Sequence, residues 1–154
     1  MSAITQLREL SLANSRTRYP DMPEYARSCR NYTDKTANGL TKCIIDFLKF
    51  SGWQAERISN TGRYIDNTKI VSDCIDRKMR IGSGKWIPGS GQKGTADISA
   101  TINGRSVKIE IKIGFDRQSE NQKRYQTEIE RAGGIYILCH SFTDFLTWYN
   151  SQVK

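Results

Sequence analysis

The sequence predicts an α/β chain of the α+β kind, with helices flanking a mixed central β-sheet, and three observations predict it. Two runs that alternate apolar and polar residues, Ala96 to Ile102 and Val107 to Ile113, are joined across Asn103-Gly104. Asn-Gly favours a two-residue hairpin because both central positions of a type I′ turn need positive φ. Downstream, an amphipathic stretch from Ser119 to Arg131 leads into the apolar run Ile135-Tyr136-Ile137-Leu138-Cys139. Strand, helix and strand in such close succession imply a crossover with parallel pairing. The third observation is a helical stripe upstream of the hairpin, which, with the strand read at Trp53 to Ser59 between them, gives the order αβββαβ.

From the N-terminus, residues 1–33 read as a basic arm or short helix and residues 34–154 as one domain. Ile4, Leu7 and Leu12 fit a short amphipathic helix. Arg16, Arg18, Arg27 and Arg30 are interleaved with Tyr19, Tyr25 and Tyr32, a composition that suits phosphate contact and base stacking, or equally an arm whose tyrosines pack on the domain. Asp34 is placed to cap a helix reaching about Phe50, with Ala37, Leu40, Ile44, Phe47 and Leu48 on one face and Gly52 past its end. Trp53 to Ser59 reads as a strand, and Gly62 to Ile65 as a continuation of the sheet after a turn at Asn60-Thr61-Gly62. Residues 68–80 allow either a helix, through Ile70 and Cys74, or a hairpin.

Between Gly82 and Gly94, Pro88 and five glycines surround Lys85, Trp86 and Lys93 and read as a mobile basic loop. Trp86 follows Gly84-Lys85, and Gly94-Thr95 leads into a strand, so the loop lacks the Lys-Ser/Thr and helix of a nucleotide-binding P-loop. Ser119 and Gln122 form a capping box, Ser-x-x-Gln, for a helix whose inner stripe is Tyr125, Ile129 and Ala132 and which closes at Gly133-Gly134. Ile135 to Cys139 reads as a strand buried on both faces. A last helix starts near Ser141 or Thr143 and packs through Phe142, Phe145, Leu146 and Tyr149.

The 154 residues carry a net charge of +8, an excess that favours polyanionic partners because Lys and Arg displace counterions from nucleic-acid phosphates. Cys29, Cys43, Cys74 and Cys139 are widely spaced, with no Cys-x-x-Cys pair, and His140 is the single histidine, so no zinc site follows. Cys43 and Cys139 sit in apolar runs and read as buried thiols of a reducing compartment. No apolar segment approaches a signal core or a membrane span. The expectation is a cytoplasmic protein with no membrane partner.

The hairpin carries the chemistry. If Ile102 and Arg105 flank the turn, Ile98 faces Ile109, Ala100 faces Val107 and Asp97 faces Glu110, with Lys112 on the same face as Glu110. Opposed like charges destabilise a sheet. A divalent cation turns that repulsion into coordination, since Mg²⁺ takes one or two carboxylates and fills its remaining positions with water or phosphate oxygens. Alternatively, Lys108 and Lys112 neutralise Glu110 on a solvated face.

Gly94-Thr95-Ala96-Asp97, Glu110-Ile111-Lys112, Ser119-x-x-Gln122-x-x-Tyr125 and Ala132-Gly133-Gly134 together resemble the PD-(D/E)XK nuclease superfamily, and within it the small VRR-NUC type of phages and mobile elements. The resemblance spans about residues 34–146. It implies a restriction-endonuclease-like fold and a metal-dependent endonuclease, acting on branched or structured DNA in phage or mobile-element recombination and repair, in the cytoplasm of a bacterial or phage-infected cell. Asp97 and Glu110 would then ligate Mg²⁺ or Mn²⁺ with the Ile111 carbonyl. Lys112 would orient or deprotonate the attacking water, and Gln122 would help arrange the site. Lys93, Lys108, Lys123, Arg124 and Tyr125 are candidate nucleic-acid contacts, although Gln122 also serves the cap and Tyr125 also fits the core stripe. His140 has no role in that chemistry.

Thr95-Ala96 stands where the family usually has a proline. Many members also carry a first-helix glutamate, for which this chain offers only Asp34 or Asp46. Two other readings keep the same residues: a nick- or end-directed nuclease of a restriction or defence system, and an inactive nucleic-acid-binding or virion-associated protein. The sequence does not separate DNA from RNA, and it allows a homodimer.

Overall fold

The Asn103-Gly104 turn forms as its chemistry requires: in the computed structural model, which describes residues 2–59, 62–89 and 91–152, both residues have positive φ, 50° and 74°. The chain divides into two compact units, Met1–Ile58 with Gly94–Lys154, and Ser59–Lys93.

The first unit holds a four-stranded sheet of β1 (Gln54–Arg57), β6 (Ile98–Ile102), β7 (Arg105–Ile111) and β8 (Ile135–Cys139), in that spatial order. β1 pairs antiparallel with β6, Arg57 facing Ile98. β6 and β7 pair in the register expected from the turn, Ile98 to Ile109 and Ala100 to Val107. β8 runs parallel to β7 after a crossover through α3 (Glu120–Arg131). The sheet is thus mixed, and its alternation sorts side chains by face. Ile98, Ala100, Ile102, Val107, Ile109 and Ile111 are all buried in one main core. The opposite face, with Asp97, Lys108, Glu110 and Lys112, looks towards α3, where Ala96, Tyr125 and Tyr136 form a smaller cluster.

Three helices cover the main core. α1 (Ala3–Arg18) starts at a Ser2 cap, and its Leu7 is fully buried among α2 (Ala37–Phe50) and α4 (Phe142–Gln152). The lead segment is therefore a full helix built into the core unit. Most of its basic residues are engaged locally. Arg16 pairs with Glu24 at 2.9 Å, Arg30 with Asp46 at 2.7 Å, and the buried Arg27 side chain donates to the carbonyls of Ser15 and Tyr19. Tyr32 is buried with its hydroxyl on Asp46, whereas Tyr25 is exposed.

Several expectations are corrected. The α2 cap is Thr36, whose hydroxyl accepts from Gly39 N–H at 3.1 Å; Asp34 instead accepts from Phe142 N–H at 3.2 Å and caps α4 together with Ser141. A helix reaching from Asp34 would have to include Lys35 and Thr36, and threonine's extended backbone starts it later. β8 is an edge strand and is not buried on both faces along its length: Tyr136 and Cys139 are buried, whereas Leu138 is 41% exposed. Ala132 is an exposed C-cap outside the inner stripe. Cys43 and Cys139 are buried as expected, and burial pushes their thiols up to about 11 and about 12.

The second unit is a ribbon of two strands. β2 (Arg63–Asp66) pairs with β5 (Gly84–Ile87), and β3 (Lys69–Ser72) with β4 (Lys78–Ile81), all antiparallel. Extending the Arg63 to Ile87 register along the ribbon lands on Lys69 to Ile81 without a slip, so the ladders belong to one hairpin. Residues 68–80 thus take the hairpin alternative, β2 does not join the central sheet, and part of the expected loop from Gly82 is strand. The turn assigned to Asn60-Thr61-Gly62 lies largely outside the described residues.

Candidate active site

Glycine sets the approach to the site. Gly94 has φ of 85°, and a Cβ there would sit 2.8 Å from the Gln122 backbone nitrogen, so only a bare Cα lets this segment pass the start of α3. Three residues on, Asp97 lies just before β6. Its carbonyl accepts from Ile58 N–H at 2.8 Å, and its carboxylate Oδ2 accepts from Ile111 N–H at 2.9 Å. The first bond ties the Asp97 backbone to the residue after β1, and the second holds the carboxylate against β7. Since a residue's N–H and C=O point to the same side of a strand, the Ile111 carbonyl projects towards that carboxylate as well.

Glu110 and Lys112 leave β7 on the α3 side, 3% and 5% exposed. Lys112 Nζ lies 3.1 Å from Glu110 Oε1, and Gln122 Nε2 donates to the same oxygen. The Gln122 amide oxygen accepts from Lys112 Nζ at 3.1 Å and from Ser119 N–H at 2.8 Å. The capping box therefore clamps the site, because one amide closes the helix end and joins both charged groups. The two alternatives for Gln122, cap and site, hold together.

Burial raises the Glu110 pKa, the negative charge of Asp97 raises it further, and the hydrogen bond from Lys112 only partly opposes them. For Lys112, burial disfavours the ammonium, but the hydrogen bond and charge of Glu110, joined by Asp116, outweigh it and raise the pKa. Lys112 is a cation at neutral pH. Burial and the Glu110 charge also push the Tyr136 hydroxyl upwards.

The donor set suits a hard cation. Glu110 Oε1 is engaged twice, while Oε2 is buried with no hydrogen-bond partner among the described residues. A buried carboxylate oxygen left unpaired is costly. Asp97, Glu110 Oε2 and the Ile111 carbonyl are all oxygen donors, the preference of Mg²⁺ and Mn²⁺. Among the described residues no third His, Cys, Asp or Glu completes a ligand group. Asp34 is committed to α4 and Asp46 to Arg30 and Tyr32, so neither supplies a first-helix ligand.

The other candidate residues separate. Lys108 shares the Glu110 face and donates to Ser99 Oγ at 2.6 Å. Lys123 pairs with Glu120 at 2.7 Å, and Arg124 is exposed. Tyr125 turns inward, its ring 6.2 Å from that of Tyr136 in an edge-to-face arrangement. Lys93 is exposed at the end of the second unit. His140 Nδ1 meets the Lys112 carbonyl at 3.1 Å, a side-chain contact to the main chain just past the end of β7.

Sequence reasoning missed Asp116, which lies 3.3 Å from Lys112 Nζ. The available signal was Gly114, whose φ of 62° lets the chain turn back after β7 and return an acid four residues past the lysine. It also missed Phe115, fully exposed in the same turn. Compared with protein-family models and with curated proteins, the chain matches none of them.

Proposed function

We propose that the chain is a Mg²⁺- or Mn²⁺-dependent DNA endonuclease with a restriction-endonuclease-like fold of the PD-(D/E)XK type. The observation that carries the reading is the buried Glu110 Oε2, without a hydrogen-bond partner among the described residues, under the influence of the Asp97 charge and two residues before the charged Lys112. Support for the fold comes from the order α2, β1, β6, β7, α3, β8 and the parallel β7–β8 pair.

Asp97, Glu110 and the Ile111 carbonyl would hold the cation, which would neutralise charge at a phosphate and lower the pKa of a bound water so that hydroxide is available at neutral pH. Lys112, protonated and fixed by Glu110, Gln122 and Asp116, donates to the water or to a phosphate oxygen and orients it. It does not serve as the base in the metal-free protein. Gln122 keeps Glu110 and Lys112 in register, and the positive end of the α3 dipole favours phosphate nearby.

Incubating the protein with duplex, nicked, flap and four-way-junction DNA in Mg²⁺ or Mn²⁺ tests the reading. Cleavage of at least one substrate is expected, with Asp97→Asn, Glu110→Gln and Lys112→Ala each abolishing it while DNA affinity stays within a few fold. Cleavage that persists in all three purified variants, or DNA binding with neither Mg²⁺ affinity nor nicking, overturns it.

A further inference from the structure

The ribbon from Arg63 to Ile87 has no core. Among the described residues of β2, β3, β4 and β5 none is buried, and Ile70 (73% exposed), Tyr64 (62%) and Trp86 (60%) stand in solvent. A two-stranded hairpin alone is marginal in water, so large apolar side chains left open along it mark a surface that is covered in use. What covers it is indicated by charge. Arg63, Lys69, Arg77, Lys78, Arg80 and Lys85 outnumber the ribbon's acids, Asp66, Asp73 and Asp76, by two to one. Among the described residues only Arg80 of these cations is ion-paired, with Asp66 at 2.9 Å. The cations also alternate with apolar partners across the ladder: Arg63 faces Ile87, Lys85 faces Ile65, Lys69 faces Ile81 and Arg80 faces Ile70.

We infer that this ribbon is a DNA-gripping arm that lies in the major groove of a duplex. A two-stranded β-ribbon is one of the two elements that the B-form major groove, about 12 Å wide, admits. Each strand line from Arg63 to Ser72 spans about 30 Å at about 3.3 Å per residue, close to one duplex turn of about 34 Å. Lys and Arg along the edges meet phosphates, while isoleucine side chains suit thymine methyl groups. Two glycines shape the surface. A Cβ at Gly62 would lie 2.9 Å from the Trp86 ring, and one at Gly84 would collide with Tyr64, so each aromatic lies across a bare Cα on the opposite strand and keeps an outer side exposed. The major groove of A-form RNA is too deep and narrow for such an arm, which selects DNA. The inference deepens the nuclease reading and takes its meaning from it, but its test needs no cleavage.

Equilibrium binding of the full chain to labelled duplex DNA and duplex RNA of one sequence, in EDTA over a range of salt, provides the test. Wild type should prefer DNA by about tenfold or more. Lys69→Gln/Lys78→Gln/Lys85→Gln should lower DNA affinity about tenfold or more and flatten the log K against log salt slope by about 0.9 for each phosphate no longer neutralised. Because these lysines are exposed, circular dichroism should be unchanged. Trp86→Phe should remove the DNA-induced quenching of tryptophan emission, since Trp86 is the strongly exposed tryptophan.

Equal affinity for both duplexes, an unchanged slope in the triple variant, or no duplex binding by wild type overturns the inference. So does a change in sedimentation of Ile70→Ser/Ile81→Ser with DNA affinity intact, which would assign the ribbon to association between copies of this chain. Ribbon-dependent binding without cleavage defeats the nuclease reading alone, and cleavage with ribbon-independent binding defeats the arm alone.

Discussion

Gln122 donates its amide to Glu110 Oε1, and the same amide accepts from Lys112 Nζ and from the Ser119 N–H. The orientation of that amide is fixed by the Ser119 N–H, which needs an acceptor. A helix-capping interaction is thereby shared with a buried ion pair. Helix stability and the geometry of the charged groups are consequently coupled, and neither can be altered at this position alone.

Gln122→Ala should cost about 1 to 2 kcal/mol, from removal of the cap and of the hydrogen bond to a charged group. Gln122→Glu keeps the capping-box pattern but sets a third carboxylate beside Glu110. Thermal unfolding should show the alanine variant melting lower in all buffers, and the glutamate variant recovering when Mg²⁺ is added. Identical metal responses in the two variants would leave Gln122 as a cap only.

Asp97→Asn should stabilise the metal-free protein by up to about 1 kcal/mol at neutral pH, because asparagine still accepts from Ile111 N–H while the opposed charge is removed. The sign follows from Glu110. Its folded-state pKa is raised, so the folded protein binds that proton more tightly than the unfolded chain, and stability declines as pH rises from about 4.5 through the folded value. Asp97→Asn should flatten this decline, with the two proteins converging below about pH 4. Urea midpoints at several pH values in EDTA provide the check. A wild type more stable than the variant at pH 7 would contradict the repulsion of the Glu110 carboxylate by Asp97.

How much of the molecule was legible in the sequence depended on how local the chemistry was. The Asn103-Gly104 turn dictated the register, from Ile98 opposite Ile109 to Ile102 opposite Arg105, because turn type and alternation are properties of adjacent residues. The ladder ends there, and Asp97, expected to face Glu110 across it, lies just beyond with its carboxylate on Ile111 N–H and its charge felt by Glu110. The capping box was equally plain. What Asp34 does was not, since its partner is Phe142, far along the chain, and only tertiary packing brings them together. The ribbon was legible only in part, a strand near Gly62 to Ile65 and a hairpin as one of two readings for 68–80, because its glycines and exposed isoleucines lack the burial contrast on which periodicity depends.

Adding Mg²⁺ at about a hundred times its dissociation constant should stabilise wild type by about 2.7 kcal/mol, a rise of several degrees in melting temperature. Glu110→Gln should abolish the rise. Scanning calorimetry against a Na⁺ control of equal ionic strength separates coordination from screening. A rise retained in Glu110→Gln would remove Glu110 from the ligand set.

Asp34→Ala should lower stability by about 1 kcal/mol, the usual value of an N-terminal cap, yet leave the Mg²⁺-induced shift in melting temperature unchanged. An altered shift would show that Asp34 reaches the metal, against its bond to Phe142. Asp46→Asn serves as the parallel control through its pairing with Arg30.

Arg57 and Ile98 face each other at the end of the β1–β6 ladder, so residues 59–93 leave from and return to neighbouring strand ends. Closing such a gap with a longer or shorter segment changes the entropy only slowly, by about 0.6 kcal/mol per doubling of length. The inserted segment is thus a module that evolution or a designer can lengthen, trim or exchange, while the strands on either side keep their pairing and Asp97, Glu110 and Lys112 keep their places.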